Sequence, residues 1–378
     1  MKTILFFVMC AVVVAFIFWR LRRPPSRNYG QVDVIVPAFN EEPCLEQTLR
    51  SLHANKYVHR VICVNDGSTD GTGAALDRWS KIARKLVVVH QTNSGKGGAV
   101  MNGLRHVTTP YVFLTDADTF VPATGNGLGH MIAELDSGAH AVGGVPSSDL
   151  RGLGLLGYIR ATVKLPMIVL KRTFQQMLGG APFIISGACG MFRTDVLREV
   201  GLSDRTKVED LDLTWELVAR GYKVRQVNRC VVYPQECKTI REDWLRWRRW
   251  IMGYAVCMRL HRRLLLSRFG LFSILPMFLL VVAGVAIHSI AWGQALLSGS
   301  PENIPALLFP PIWVAAVCAI GLISALHHGK LRLVFLAPLA VLYVLLSYAV
   351  WVIHGLAALF TGREFGRDKP TRYSRVVA

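Results

Sequence analysis

Tyr111-Val112-Phe113-Leu114-Thr115-Asp116-Ala117-Asp118 is the stretch of sequence that decides the fold. Its first five residues have the apolar pattern of a buried strand, and two carboxylates follow where that strand ends. In an α/β sheet the carboxyl ends of the strands open into the ligand crevice. Since an unpaired buried charge costs several kcal/mol, Asp116 and Asp118 need a cation there. The simplest candidate is a divalent metal that holds a nucleotide diphosphate. The Asp-x-Asp pattern alone is a weak signal, because many surface turns also contain it.

The residues around this stretch alternate between strand and helix patterns. Strands are predicted at residues 32–36, 60–64, 86–90 and 111–115, with helical spacing at 45–52 and 73–83 and a further helix after the glycines at 95–98. Alternation of this kind predicts an α/β fold with a mostly parallel, doubly wound sheet. Residues 31–237 are long enough for one sizeable domain of this class.

Apolar residues make up 52% of the chain and are concentrated at both ends. Residues 1–23 contain an uncharged run followed by arginines, which we interpret as a retained transmembrane anchor rather than a signal peptide. By the positive-inside rule, the next domain is expected in the cytoplasm. Residues 269–361 contain apolar stretches at 271–297, 304–326 and 331–360, predicted as a C-terminal transmembrane region. The loop 327–332 and the basic tail 362–378 both have cytoplasmic character, which conflicts with a single crossing of the membrane by residues 331–360. Either that stretch is a broken or re-entrant pair, or the basic tail lies outside.

The net charge of +18 does not indicate a nucleic-acid-binding protein, because of where the charge lies. Residues 238–268 carry nine Lys and Arg side chains against two acids, immediately before the C-terminal apolar region. Basic residues there suit a lipid bilayer with anionic head groups and a phosphorylated substrate. The eight cysteines form no C-x-x-C pair, so neither a zinc site nor a disulfide framework is indicated.

Residues 238–268 are predicted as amphipathic interface helices because Trp244, Trp247 and Trp250 recur every three residues. Indoles on one helix face suit the head-group level of a membrane. One interpretation is a simple anchoring helix. The other adds that Arg249 neutralises a diphosphate while an indole stacks on a sugar.

Polar loops follow the other predicted strands and are expected to meet at one edge of the sheet. Asp66 opens a Gly/Ser/Thr turn, where its carboxylate is either a turn cap or an acceptor for a nucleobase or ribose. Lys96 lies between glycines, which leave room for a phosphate, but the spacing is not that of a Walker A loop. A solvated turn is the alternative for this lysine.

Two later segments carry candidate acceptor and catalytic residues. Small residues interrupt the apolar run at 183–192, so a helix or a ligand must approach the backbone closely there. Asp210 and Asp212 precede a helical pattern and could cap it. Alternatively, an acid near a transferred hydroxyl makes a general base.

Together these motifs resemble those of the family 2 glycosyltransferases, and among them the membrane-embedded processive synthases of poly-N-acetylglucosamine, hyaluronan, chitin oligosaccharides and cellulose. The match runs over about residues 32–253, with the motifs in the family's order. They are Val34-Ile35-Val36-Pro37-Ala38-Phe39-Asn40-Glu41, Asn65-Asp66-Gly67-Ser68, Gly95-Lys96-Gly97-Gly98-Ala99, Asp116-Ala117-Asp118, Ser186-Gly187-Ala188-Cys189-Gly190, Glu209-Asp210 and Arg249-Trp250.

The resemblance implies a GT-A-type domain and a role for each motif. The implied nucleotide-binding residues are Pro37, Asn40, Glu41, Asp66, Lys96 and Asp116, with Asp118 holding Mg²⁺ or Mn²⁺. Arg246 is a further predicted nucleotide-binding residue. Asp210 is the implied base, assisted by Glu209, Arg249 and Trp250. The implied acceptor contacts are Ser186, Gly187, Cys189 and Trp247.

One position departs from the family pattern, because Arg246 stands where the Gln-x-x-Arg-Trp motif has glutamine. That helix borders the acceptor site and is associated with processive synthesis, so the departure bears on the acceptor. The first hypothesis is an inverting multi-pass enzyme of the cell membrane that extends a β-linked polysaccharide from a UDP-sugar, N-acetylglucosamine being the best candidate. An accessory membrane subunit is a further candidate partner.

The second hypothesis is transfer of a single sugar to a lipid carrier such as polyprenyl phosphate, for which Arg246 would be a phosphate partner. An inert membrane scaffold is disfavoured because Asp66, Asp116, Asp118 and Asp210 are all present. A transporter is disfavoured because the apolar C-terminal region has few ionisable residues beyond His288 and His354.

Overall fold

The computed structural model describes residues 30–276, 311–364 and 371–374, with isolated positions between 278 and 297. The predicted anchor at 1–23 lies outside the described residues, as do most of the first C-terminal apolar stretch and part of the basic tail. The described chain contains an α/β domain followed by a group of helices.

Eight strands alternate with helices in the α/β domain. The strands are β1 (Val32–Ala38), β2 (Val58–Asp66), β3 (Leu86–Gln91), β4 (Tyr111–Leu114), β5 (Thr119–Phe120), β6 (Ala141–Pro146), β7 (Gly190–Arg193) and β8 (Val224–Pro234). The helices are α1 (Glu42–His53), α2 (Thr72–Ser80), α3 (Gly95–Leu104), α4 (Gly127–Asp136), α5 (Leu155–Gly179), α6 (Thr194–Val200) and α7 (Glu209–Ala219). All four strands predicted from the apolar pattern are present.

The strand order is β3-β2-β1-β4-β7-β6-β8-β5. The first four strands are parallel, as predicted. The second half is not purely parallel: β6 and β8 run parallel to each other, whereas β7 runs antiparallel to both β4 and β6, and β5 runs antiparallel to β8. After β6 the chain travels along the 25-residue helix α5 and then enters the sheet from the opposite end. The sheet is therefore mixed, with a parallel half that contains the switch point between β1 and β4.

Strand β1 lies inside the sheet, between β2 and β4, and its apolar residues are buried on both faces. Val34 and Val36 belong to the apolar cluster on one face, and Ile35 belongs to the cluster on the other. Near-continuous apolar runs of this kind are typical of parallel strands that are covered on both sides. The loops after β1, β2 and β4 therefore open at the same edge, on either side of the switch point.

Asp33 is the charged exception within β1, and it is fully buried. Burial would raise the pKa of its carboxyl group, but hydrogen bonds from Arg60, the Thr108 N–H and His59 outweigh this and lower the pKa to about 2. The Arg60 Nη2 atom lies 3.1 Å from Asp33 Oδ2, and the Thr108 N atom lies 2.7 Å from the same oxygen. This carboxylate ties β1 to the turn before β4.

We expect Asp33→Asn to destabilise the protein by about 2 kcal/mol near neutral pH, from a pKa depressed by almost two units. Because the folded-state pKa is below the unfolded value of 3.8, the stabilisation is present above pH 3.8 and is lost as the pH falls towards 2. In thermal unfolding experiments, the stabilities of the wild type and of Asp33→Asn should become equal as the pH falls from 3.8 to 2. Asp77→Asn, at a side chain that is 61% exposed, is the control and should shift stability by less than about 0.5 kcal/mol. A constant difference from pH 7 to 2 would contradict the assignment.

The helices after the α/β domain begin with α8 (Ile240–Leu260), which covers most of the predicted interface region. A 3₁₀ turn at Arg262–Leu266 and a π-helical turn at Gly270–Ile274 follow. Further helices are α9 (Pro311–His328), α10 (Arg332–Phe335), α11 (Ala337–Val350) and α12 (Leu356–Thr361), with a π-helical turn at Trp351–Gly355. The apolar stretch 331–360 is divided among α10, α11, the π-helical turn and α12, and the choice between its two membrane topologies stays a prediction. Within the described residues, no helix combines the length and the apolar character needed to cross a membrane.

Candidate active site

Four predicted site residues converge at the carboxyl edge of the parallel strands. The Lys96 Nζ atom, on the first turn of α3, lies 2.6 Å from Asp116 Oδ1 after β4 and 3.4 Å from Glu209 Oε1 on α7. Burial would lower the pKa of Lys96, but the charges of Asp116, Glu209 and Asp210 raise it above its usual value. The lysine therefore stays protonated and gathers three carboxylates around one cation.

The Asp210 carboxylate is held by the small-residue loop at 186–190. Its Oδ2 atom accepts a hydrogen bond of 2.9 Å from the Gly187 N–H. A Cβ atom on Gly187 would lie 2.8 Å from Lys96 Nζ, so a larger residue there would displace the end of the lysine side chain. Burial and the neighbouring charge of Glu209 raise the pKa of Asp210, although Lys96 and the Gly187 N–H act in the opposite direction. A raised pKa makes this carboxylate a better proton acceptor.

Helix α7 presents Asp210 because its other face is firmly packed. Trp215 is fully buried, and its indole N–H donates to the Phe183 carbonyl oxygen at 3.0 Å. Asp212 lies 2.8 Å from Arg205 Nε and 2.7 Å from His261 Nε2. The predicted capping role is not observed, since Val208 is the N-cap residue and makes no side-chain cap. Asp212 is thus a structural partner, whereas Asp210 faces the site.

A cavity of about 370 Å³, its open mouth included, lies beneath these charged groups. Six of the predicted site residues line it: Pro37, Lys96, Ser186, Gly187, Glu209 and Asp210. Its inner wall is apolar, formed by side chains such as Phe192 and Leu213.

Asp118, the predicted metal ligand, is 8% exposed and already faces a cation. Its Oδ2 atom contacts Nη1 of Arg372 from the C-terminal tail, and Arg372 Nε lies 2.8 Å from Glu41 Oε2. In the described part of the chain no three His, Cys, Asp or Glu side chains form a complete metal site. One or two carboxylates suffice for Mg²⁺ or Mn²⁺ when phosphate and water supply the other ligands. An oxygen that already stabilises positive charge fits this donor set.

Two predicted nucleotide-binding residues tie neighbouring loops together. Asp66 Oδ1 accepts hydrogen bonds of 2.7 Å from the Ser94 N–H and 2.8 Å from Gln91 Nε2. Asn40 has a positive φ of 52°, which asparagine tolerates better than most residues, and its Oδ1 atom accepts from the Thr69 N–H at 2.8 Å. These contacts fix the loops after β1, β2 and β3 relative to one another, and the predicted nucleotide contacts stay predictions.

The glycine-rich start of α3 is approached by a protein carboxylate that the sequence did not suggest. Asp204 accepts hydrogen bonds from the Gly97 N–H at 3.2 Å and the Gly98 N–H at 3.3 Å. A Cβ atom on Gly97 would lie 2.7 Å from Asp204 Oδ2. The glycines thus permit the close approach of an anion, as the sequence indicated, and in this structure the anion is Asp204.

Comparison with known proteins gives the family. Residues 33–201 match the model of glycosyl transferase family 2. The chain is also 60% identical over its whole length to an uncharacterized glycosyltransferase of Escherichia coli strain K12, YaiP, and covers 95% of that protein. The chain belongs to glycosyltransferase family 2. This glycosyltransferase is accordingly an enzyme of the hexosyltransferase type.

More distant relatives share only part of its length. The glycosyltransferase is 28% identical over 244 residues to the poly-β-1,6-N-acetyl-D-glucosamine synthase of Staphylococcus aureus, a match that covers 62% of this chain and 58% of the synthase. Among solved structures, the mannosyltransferase PcManGT of Pyrobaculum calidifontis, in complex with GDP-Man and Mn²⁺, matches with a TM-score of 0.49. That match has 21% identity and covers 88% of this chain and 97% of the mannosyltransferase.

The tryptophan-rich helix α8 of the glycosyltransferase packs against the C-terminal helices. The Trp247 indole N–H donates to the Tyr343 hydroxyl oxygen on α11 at 2.7 Å, and the Trp247 and Trp250 ring centroids are 5.6 Å apart. Trp250 is 39% exposed and Arg249 is half-buried on the same helix. These placements leave the predicted catalytic roles of Arg249 and Trp250 open to test.

Arg246 forms ion pairs with two acidic side chains of the protein. Its Nη2 atom lies 2.5 Å from Asp243 Oδ1 and 3.7 Å from Glu236 Oε2. Arg160 on α5 joins the same network, 2.5 Å from Glu236. The departure from glutamine thus coincides with a buried ion-pair network between α5 and α8, in which Arg160, Lys164 and Arg246 share Glu236 and Asp243, and the predicted phosphate contact of Arg246 stays a prediction.

Cys189, one of the predicted acceptor residues, lies in the core. Its side chain is fully buried and its Sγ atom lies 3.8 Å from that of Cys230. The loop therefore divides its residues: Ser186 and Gly187 line the cavity, whereas Cys189 packs behind the sheet. Burial of the thiol removes it from any acceptor surface in this structure.

Arg372 and Asp204 are the residues near the site that sequence reasoning missed. Asp204 contacts residues more than a hundred positions away, and Arg372 contacts Glu41 across 331 positions. No local pattern marks either residue, since each is one charge among many in a polar segment. Only the folded chain brings them to the site.

Proposed function

We propose that this enzyme transfers a sugar, best matched by N-acetylglucosamine, from a UDP-sugar to the non-reducing end of a growing β-linked polysaccharide. The observation that carries the proposal is the meeting of Lys96, Glu209 and Asp210 at the mouth of one cavity. A base, a fixed cation and the glycine backbone of Gly187 meet there. The similarity to poly-β-1,6-N-acetyl-D-glucosamine synthase supports the choice of sugar and of product.

The reaction is a single inverting displacement at the anomeric carbon. The acceptor hydroxyl oxygen forms a bond to that carbon as the bond between the carbon and the donor's phosphate oxygen breaks. Asp210 takes the hydroxyl proton, and the bonding electron pair leaves with UDP. Its raised pKa and its hydrogen bond to Gly187 suit it to be the base.

The leaving diphosphate requires positive charge. Asp118, with Glu41 nearby, would hold Mg²⁺ or Mn²⁺, which when bound supplies Lewis-acid stabilisation of the leaving group. Lys96 keeps Asp116 in place at 2.6 Å, where Asp116 supports the nucleotide end. Arg249 on α8 supplies further positive charge, and the loop at Ser186 borders the acceptor sugar.

The enzyme works at the cell membrane, with its α/β domain in the cytoplasm. Large apolar side chains stand exposed after the α/β domain, for example Leu266 at 86%, Phe335 at 82% and Phe360 at 77%. Exposed apolar surface on neighbouring helices suits a lipid bilayer better than water. Passage of the polymer through the membrane, with or without an accessory subunit, belongs to the same proposal.

Transfer of one sugar to a lipid phosphate is the competing function. Its only support in the sequence was Arg246, and that side chain is paired with Asp243. The polymer is the better supported product because of the similarity to poly-β-1,6-N-acetyl-D-glucosamine synthase.

A donor panel tests the proposal. Membranes containing the enzyme are incubated with UDP- and GDP-sugars, with Mn²⁺ or EDTA, and release of nucleotide diphosphate is measured. We expect UDP-N-acetylglucosamine to be the preferred donor and EDTA to stop the reaction. Labelled product is then sized: a long polymer supports the proposal, whereas a one-sugar lipid or preference for another nucleotide overturns it.

A further inference from the structure

The described C-terminal segment, residues 371–374, is fixed against the donor edge of the sheet. The Thr371 N–H donates to Glu242 Oε1 at 3.2 Å, and the Tyr373 hydroxyl donates to the Glu236 carbonyl oxygen at 3.1 Å. The Lys238 ammonium lies 3.8 Å from the centroid of the Tyr373 ring. Contacts on both sides of residue 372 thus hold this segment in one place.

Between these contacts, the Arg372 guanidinium joins the two acids expected at the donor site. Its Nε and Nη2 atoms lie 2.8 and 3.0 Å from the two Glu41 oxygens, and Nη1 contacts Asp118 Oδ2. The side chain is only 16% exposed. A guanidinium fork fits carboxylate and phosphate oxygens equally well, because both present paired acceptors.

We propose that Arg372 is a donor-binding residue whose Nη1 passes from Asp118 to the diphosphate when the metal-bound nucleotide sugar enters. This rests on the proposed function. A guanidinium and a divalent cation are like charges that require the same Asp118 oxygen, so they exclude each other there. Glu41 keeps the other two nitrogens, and the guanidinium therefore stays beside the incoming phosphate oxygens. The segment 371–374 remains docked and closes one side of the donor site.

The proposal predicts that loss of Arg372 raises the affinity for the metal and lowers the affinity for the nucleotide. Without Arg372, Asp118 loses a competitor, so Mn²⁺ alone should bind roughly 5-fold more tightly or better. The diphosphate loses a charge-assisted hydrogen bond, so UDP at saturating Mn²⁺ should bind roughly 10- to 100-fold more weakly. The variant is Arg372→Gln, with Mn²⁺ binding followed by electron paramagnetic resonance and UDP binding by calorimetry. We expect KM for the UDP-sugar to rise more than kcat falls.

Two further variants make the test specific. Arg372→Lys keeps the charge without the fork and should bind UDP with intermediate affinity. Arg363→Gln removes an exposed tail arginine and should change neither affinity. Should Arg372→Gln fold poorly, seen as a lowered thermal midpoint, Arg372→Lys carries the comparison.

Other outcomes overturn the proposal. Tighter binding of both Mn²⁺ and UDP by Arg372→Gln would mean that Arg372 blocks the donor site and must leave before the donor binds. Amide hydrogen exchange across 371–374 would then rise on addition of Mn²⁺ and UDP, whereas our proposal expects it to fall or stay low. Unchanged affinities would leave Arg372 a purely structural contact. If the wild type binds no UDP, the proposed function fails, while the measurement with Mn²⁺ alone still decides whether Arg372 competes at Asp118.

Discussion

Asp210→Asn should reduce sugar transfer by roughly 10²- to 10⁴-fold, the usual contribution of a general base, while leaving UDP binding largely intact. Asparagine has the same shape and keeps an oxygen for the Gly187 N–H, which lies 2.9 Å from the carboxylate now. What it loses is the ability to accept the hydroxyl proton. The measurement is turnover of the donor beside calorimetric affinity for UDP.

The pH dependence gives the same residue a second signature. Transfer requires ionised Asp210, and burial beside Glu209 raises its pKa. The wild-type rate should therefore fall as the pH drops through a value above the ordinary 3.8, and this acid limb should be absent from the residual activity of Asp210→Asn.

Asp212→Asn is the matched control, because Asp212 lies on the same helix but is paired with Arg205 and His261. It should lower the stability of the protein without changing the acid limb. Loss of UDP affinity equal to the loss of rate in Asp210→Asn would refute its role as base.

The parallel half of the sheet could be predicted because its information is local. Strands β1, β2 and β4 are runs of mostly buried apolar residues, the edge strand β3 is half-buried, and each strand ends in a polar loop that must lie at the carboxyl edge. The meeting of Lys96 and Asp116 follows from that topology. Even Arg246 carried a local signal, since Asp243 lies three residues before it on one helix face.

The rest depended on contacts between distant parts of the chain. The direction of β7 is set by the path of α5 and not by the four residues of the strand itself. Cys189 and Gly187 are two positions apart, yet one is in the core and the other lines the cavity. The partnership of Arg372 with Glu41 requires a tail that returns to the first strand after the whole domain has folded.

Asp118→Asn should make UDP binding insensitive to Mn²⁺ and lower transfer by roughly 10³-fold or more. Loss of several kcal/mol of Lewis-acid stabilisation, at 1.36 kcal/mol per tenfold in rate, corresponds to that range. Asparagine retains an oxygen for the Thr119 hydroxyl, which donates to Asp118 Oδ1 at 3.2 Å. Arg372 retains Glu41 as its partner, so the tail keeps its other contacts. UDP affinity is measured with Mn²⁺ and with EDTA for each protein.

Asp70→Asn is the control for a general charge effect at this edge of the sheet. Asp70 belongs to the loop after β2, where its Oδ1 atom accepts from the Thr72 N–H at 3.0 Å. Its substitution removes the same charge nearby, yet the ratio of UDP affinities with Mn²⁺ and with EDTA should stay at the wild-type value. If Asp118→Asn also kept that ratio, the metal would be held elsewhere, and the contact between Asp118 and Arg372 would be a structural ion pair alone.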